Sequence, residues 1–136
     1  MSGRWGDDGN AVVEFALVSV MVLMLLLAVV QVAVYLHIRA VATASAAEGA
    51  RYAANADVPT EAGGPRAADV LRRGVGAATA ARLRCTAAPE TAAPEVDPDG
   101  GALVGVRCAG TLPVFFAPLG GVLPVDVTGR ALEEGP

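Results

Sequence analysis

Apolar and polar positions are very unevenly distributed along this chain. From Phe15 to Leu36 the sequence is apolar at every position except Ser19 and Gln31. As an α-helix this run spans about 33 Å, enough to cross the hydrocarbon core of a bilayer. Its Val, Leu and Phe side chains contribute about −4 to −8 kcal/mol to insertion, which offsets one serine and one glutamine. A helix apolar on every side needs either lipid or a large core around it, and the remaining sequence has few large apolar residues. The pattern therefore predicts a transmembrane helix over 10–38. A cleaved secretory signal is the weaker alternative: Ala44-Ser45-Ala46 has the small-x-small form of a cleavage site, but the apolar run is too long and Arg4 is set against Asp7 and Asp8.

Past the span the periodicity stays helical. No proline precedes Pro59, and the alanine-rich stretch to Asn55 predicts that the helix continues into water over 39–58, some 70 Å of helix in all. Ala42, Ala46, Ala50 and Ala54 repeat every four residues, a ridge of small side chains that lets another helix approach closely. Alanine abundance alone also produces such a row. Gly49 weakens the helix locally, and the run from Asn55 to Pro65 ends it. Pro65 suits the first position of a second helix extending to Arg84, with Val70, Leu71, Val75, Ala78 and Leu83 on roughly one face. The proline- and acid-rich stretch after Cys85 predicts an exposed loop; its Asp97-Pro98-Asp99-Gly100 lacks the other ligands of a calcium loop and reads as a solvated turn. Then the period changes to two. Val104, Val106 and Cys108 share one face of a strand, a second strand is expected around Leu112 to Phe116, a turn at Gly120-Gly121 and a last strand around Val125 to Arg130. Prolines 113, 118 and 124 mark edges or interruptions. The expected architecture is α+β: a long N-terminal transmembrane helix running into a small domain, residues 59–136, with a second helix and a short antiparallel sheet.

Composition adds two constraints. All ten basic residues are arginines, the net charge is −4, and no basic stripe exists to neutralise phosphates, so nucleic acid is excluded as a partner. Only two cysteines occur, Cys85 and Cys108, both beyond the span. They suit one disulfide in an oxidising compartment, a staple worth roughly 3 kcal/mol to a thin core; two buried thiols are the alternative. Arginine counts oppose this topology weakly, with Arg4 before the span and Arg39 and Arg51 after it. The cysteines carry more weight and put the C-terminal domain outside the cytoplasm.

Catalysis needs a constellation, and the sequence offers none. His37 is the single histidine, at the end of the span; serines occur only at 2, 19 and 45, without a base nearby. No phosphate loop or metal-ligand spacing is present, so neither cofactor nor metal is expected and the protein reads as a non-enzyme.

One motif remains, at the threshold of the membrane. In "GNAVVEFALV" a glutamate stands five residues after Gly9, where the apolar run begins. This stretch resembles a type IV pilin-like signal. Together with "AAEGARYAA" at residues 46 to 54 it resembles the TadE-like proteins of the tight-adherence (Flp) pilus machinery. The resemblance implies that a prepilin peptidase removes residues 1–9 on the cytoplasmic face, cutting between Gly9 and Asn10, so that Glu14 becomes residue five with Phe15 after it. It further implies that Glu14 is the counter-charge for the freed amino terminus of a neighbouring subunit. The implied protein is a minor pilin or pseudopilin in the cytoplasmic membrane. Its partners would be other pilins and the inner-membrane assembly platform. Two features depart from the family pattern: the leader is acidic at Asp7 and Asp8, and Asn10 stands where phenylalanine or methionine is usual. From the residues alone, a carboxylate in the first turn of a helix is also favoured by the macrodipole. The alternative function is an unprocessed, single-span, membrane-anchored binding domain.

Overall fold

The computed structural model describes residues 7–88, 102–114 and 121–133. One helix, α1 (Asp7–Ala53), forms the spine. Its first half stands clear of the other described residues, with the side chains from Val12 to Leu36 almost uniformly exposed. Its last turns are the opposite. Ile38, Ala42, Ser45, Ala46, Ala50, Ala53 and Ala54 are buried and recur at the helical period, a stripe about as wide as one face. The alanine ridge is thus the domain's own core. Ser45 sits in that stripe because its hydroxyl donates to the carbonyl of Val41 at 2.8 Å, leaving nothing polar unsatisfied.

Against this stripe pack a second helix and a sheet. A 3-10 turn at Thr60–Ala62 leads into α2 (Gly63–Val75), which runs back along α1 and buries Ala67 and Leu71. Small residues set how closely the two helices approach. Gly49, read from sequence as a weak point, is where α2 crosses: a methyl there would lie 2.8 Å from the Ala67 Cβ and collide with the Gly63 carbonyl. The second helix ends far earlier than Arg84. Gly76 takes φ +80°, a left-handed conformation that breaks the helix, and only one further turn, α3 (Ala77–Ala80), follows. Pro65 is the third residue of α2 instead of its first.

Leu83 and Arg84 instead open a strand. β1 (Leu83–Ala87), β2 (Leu103–Pro113) and β3 (Val122–Leu132) form an antiparallel sheet in the order β1-β2-β3. Alternation decides its faces: Val104, Val106, Cys108 and Leu112 of β2 and Val125, Val127 and Gly129 of β3 turn inward, while Arg107, Asp126, Thr128 and Arg130 face water. At Gly129 the sheet touches α1 so closely that a side chain would overlap the backbone of Ala46 and Ala47. On the outer face Arg107 donates from Nε to Asp126 at 2.8 Å, and this bond holds the Asp126 carboxyl below its ordinary range. The two strands expected around Val104 and Leu112 are one continuous strand. Pro113 ends it, and Pro124 sits in β3, an edge strand where its missing N–H costs no ladder bond. Phe115, Phe116, Pro118, Gly120 and the Asp97 to Gly100 turn lie outside the described residues.

Cys85 and Cys108 are directly opposed across β1 and β2, their Cα atoms 4.0 Å apart, and are joined in a disulfide. It ties the shortest strand to the centre of a core whose largest fully buried side chains are Leu71, Val106 and Val125. Closing a loop of this length stabilises the fold by about 3 kcal/mol, a large share for so small a domain.

Candidate processing and assembly segment

Gly9, Asn10, Glu14 and Phe15 all lie in the first turns of α1, and all are exposed. Nothing approaches within 4 Å of the Cβ position at Gly9. A glycine inside a helix costs about 1 kcal/mol relative to alanine, so the peptide between Gly9 and Asn10 lies in the most easily unwound part of an accessible turn. Asn10 and Glu14 are one turn apart on the same face, which puts a carboxylate within reach of any positive charge created at the backbone nitrogen of residue 10. Val12, Val13 and Phe15 surround Glu14 with exposed apolar surface, Phe15 at 75%. Among the described residues, no other element touches this segment. Its chemistry is therefore available to lipid, to an enzyme, or to a second helix.

At the other end of the long helix, the residues of "AAEGARYAA" are divided between burial and pairing. Ala46, Gly49, Ala50, Ala53 and Ala54 are buried. Glu48 accepts a hydrogen bond from Arg66 of α2 at 3.2 Å, and the same guanidinium lies 5.6 Å from the centre of the Tyr52 ring. Arg66 thus bridges two side chains one turn apart on α1 and fixes α2 in register, although a half-exposed pair of this kind contributes no more than about 1 kcal/mol. The Nε of Arg66 is buried without a partner. Arg51, between these residues, faces solvent. Sequence reasoning missed Arg66. The available signal was an arginine in the first turns of the second helix, following a glutamate and a tyrosine at i, i+4 spacing on the first.

The family model of TadE-like proteins matches residues 9–51. Over this segment the chain is similar to TadE-like proteins. The TadE-like segment starts at Gly9 and takes in Asn10, Glu14, Phe15, the exposed apolar stretch, Glu48 and Gly49. It therefore contains both the candidate processing residues and most of the face on which the domain is built. Arg66, both cysteines and the whole sheet lie beyond it. Neither a curated protein nor a solved structure matches the chain.

The geometry also bears on the choice between anchor and cleaved signal. The apolar segment is long enough to cross a membrane and fits a single-pass anchor. It continues without a break into the buried stripe, so cutting at Ala44-Ser45-Ala46 would remove Ile38 and Ala42 from the core and sever the spine at its tightest contact.

Proposed function

We propose that this chain is a minor pilin or pseudopilin of a tight-adherence, Flp-type pilus system. A prepilin peptidase cuts it after Gly9, and it acts through contacts with other pilins and with the assembly platform in the cytoplasmic membrane. It performs no catalysis of its own. The observation that carries the reading is the coincidence of three things at one place: Gly9, a glutamate five residues on, and a long helix left bare from that point outward, all inside the TadE-like match.

The physical logic runs from the cut. Removing residues 1–9 creates an α-amino group at Asn10, one turn from Glu14. A carboxylate at the edge of the hydrocarbon is costly unless paired, and the new amine of the same or a neighbouring subunit supplies the pair. The bare apolar helix then has two good environments, the bilayer and the helix-packed centre of a fibre. The folded domain rides on its C-terminal end. The Cys85–Cys108 disulfide supports an oxidising compartment for that domain, hence a cytoplasmic N-terminus. Glycine is needed at position 9 if a peptidase must reach the adjoining peptide in a narrow site. Gly9→Ala should therefore leave a full-length, membrane-inserted protein that accumulates with its leader attached. Normal shortening of Gly9→Ala would remove Gly9 from the mechanism.

A further inference from the structure

The sheet and α1 act as two rulers laid side by side. Gly129 of β3 touches α1 at Ala46, and the Tyr35 hydroxyl donates to the Pro124 carbonyl at 3.0 Å. Five strand residues and eleven helix residues both measure about 16 Å, so β3 runs nearly parallel to α1. Extrapolated by two more residues, Val122 falls level with Gln31, more than a turn inside the apolar run that ends at Leu36. The cleft between them bears this out: about 400 Å³ in volume, it is lined by Gln31, Val34 and Tyr35 of α1 and by Leu112, Pro113 and Leu123 of the hairpin. The end of β2 and the start of β3 therefore reach down beside the apolar run of α1.

The chemistry of that end agrees. Pro113, Val114, Val122, Leu123 and Pro124 carry no ionisable side chain, and Val122 is 65% exposed. One layer higher the character reverses. Gly74 of α2 packs on Val41, so Arg72 and Arg73 lie at about the height of Arg39 along α1, and Arg82, just before β1, lines the cleft. Among the described residues Asp69 pairs with Arg72 and Arg73, and Asp126, at about the same height on the outer face of β3, pairs with Arg107. Asp57, Glu61 and Glu133 lie at the opposite end of the domain. An apolar tip below a collar of arginines has the order of a surface seated on phospholipid.

We propose that Pro113, Val114, Val122 and Leu123 insert into the interfacial region of the same bilayer surface from which α1 emerges, with Arg39, Arg72, Arg73 and Arg82 meeting the lipid phosphates. The domain is then a lipid-seated body held at a fixed tilt, not one swinging on a bare helix. The proposal requires the anchor but not the cut at Gly9.

Tryptophan quenching in proteoliposomes of phosphatidylcholine and phosphatidylglycerol tests it, with the full chain in a Trp5→Phe background. Val122→Trp and, independently, Val114→Trp should emit in the blue, and lipids brominated near the headgroups should roughly halve their intensity. Thr128→Trp, on the outer face of β3, should show the emission of an indole in water and no quenching. Leu25→Trp should be quenched by bromines deep in the chains. Formation of the Cys85–Cys108 bond on a non-reducing gel verifies folding of each variant. Water-like, unquenched emission from positions 122 and 114 would overturn the proposal. Blue but unquenched emission would also overturn it, because protein would then cover the tip. An unquenched Leu25→Trp would remove the anchor and the proposal with it.

Discussion

Glu14 is held on a helix whose neighbouring side chains, Val12, Val13 and Phe15, are exposed and apolar. A charge in that setting is tolerated near the headgroups but becomes costly as soon as the helix is drawn into a bundle, unless a cation arrives with it. Glu14→Gln keeps the size and loses the charge. It should leave membrane insertion intact, as judged by resistance to carbonate extraction. Association with a co-expressed pilin in a pull-down should fall by about tenfold, equivalent to about 1.4 kcal/mol. Loss of insertion in that variant would mean that Glu14 serves topology alone. These residues were the most legible in the sequence, because a glycine, a glutamate and an apolar run are local signals that need no tertiary context. Arg66 was not legible in the same way. Its partners Glu48 and Tyr52 come from another helix, and nothing local says which face of that helix the guanidinium crosses.

Between elements, small residues and one covalent bond hold the domain together. At Gly129 the added methyl of Gly129→Ala meets main chain that cannot rotate away, so β3 must lift off α1. The expected loss is about 2 to 3 kcal/mol, read as a lower urea midpoint by circular dichroism in detergent micelles. Thr128→Ala, on the outer face of the same strand, should shift the midpoint little. Replacing both cysteines, Cys85→Ser with Cys108→Ser, should cost about 3 kcal/mol in the same measurement, and a reductant should reproduce that loss in the wild type. An unchanged midpoint in the reduced protein would contradict the staple role. The long helix, the alternation of β2 and β3 and the Cys pair were readable because each is a strong periodic or compositional signal. β1 was not: five residues of Leu-Arg-Cys-Thr-Ala carry too short an alternation to compete with the helical pattern ahead of them. Their strand is made by pairing with β2. The end of α2 at Val75 was concealed for a related reason. Gly76 has the backbone freedom to stop a helix, but its left-handed conformation is chosen by the chain's need to return to the sheet.

As a whole the molecule is one helix with two occupations. Its exposed part fits a single-pass membrane anchor and lies within the TadE-like match; its buried part is the spine of a three-stranded α+β domain stapled by a disulfide. Because the two halves are continuous, the position of one dictates that of the other, and any partner that captures the anchor helix also orients the domain. That coupling gives the proposed cut at Gly9 its meaning, since the cut would free the helix's end and create an amine one turn from Glu14. The most direct measurement is the intact mass of the purified protein after expression with and without its cognate prepilin peptidase. The account predicts a chain beginning at Asn10 with the peptidase and a chain retaining residues 1–9 without it. A leader retained under both conditions would contradict it and leave an unprocessed, membrane-anchored binding domain.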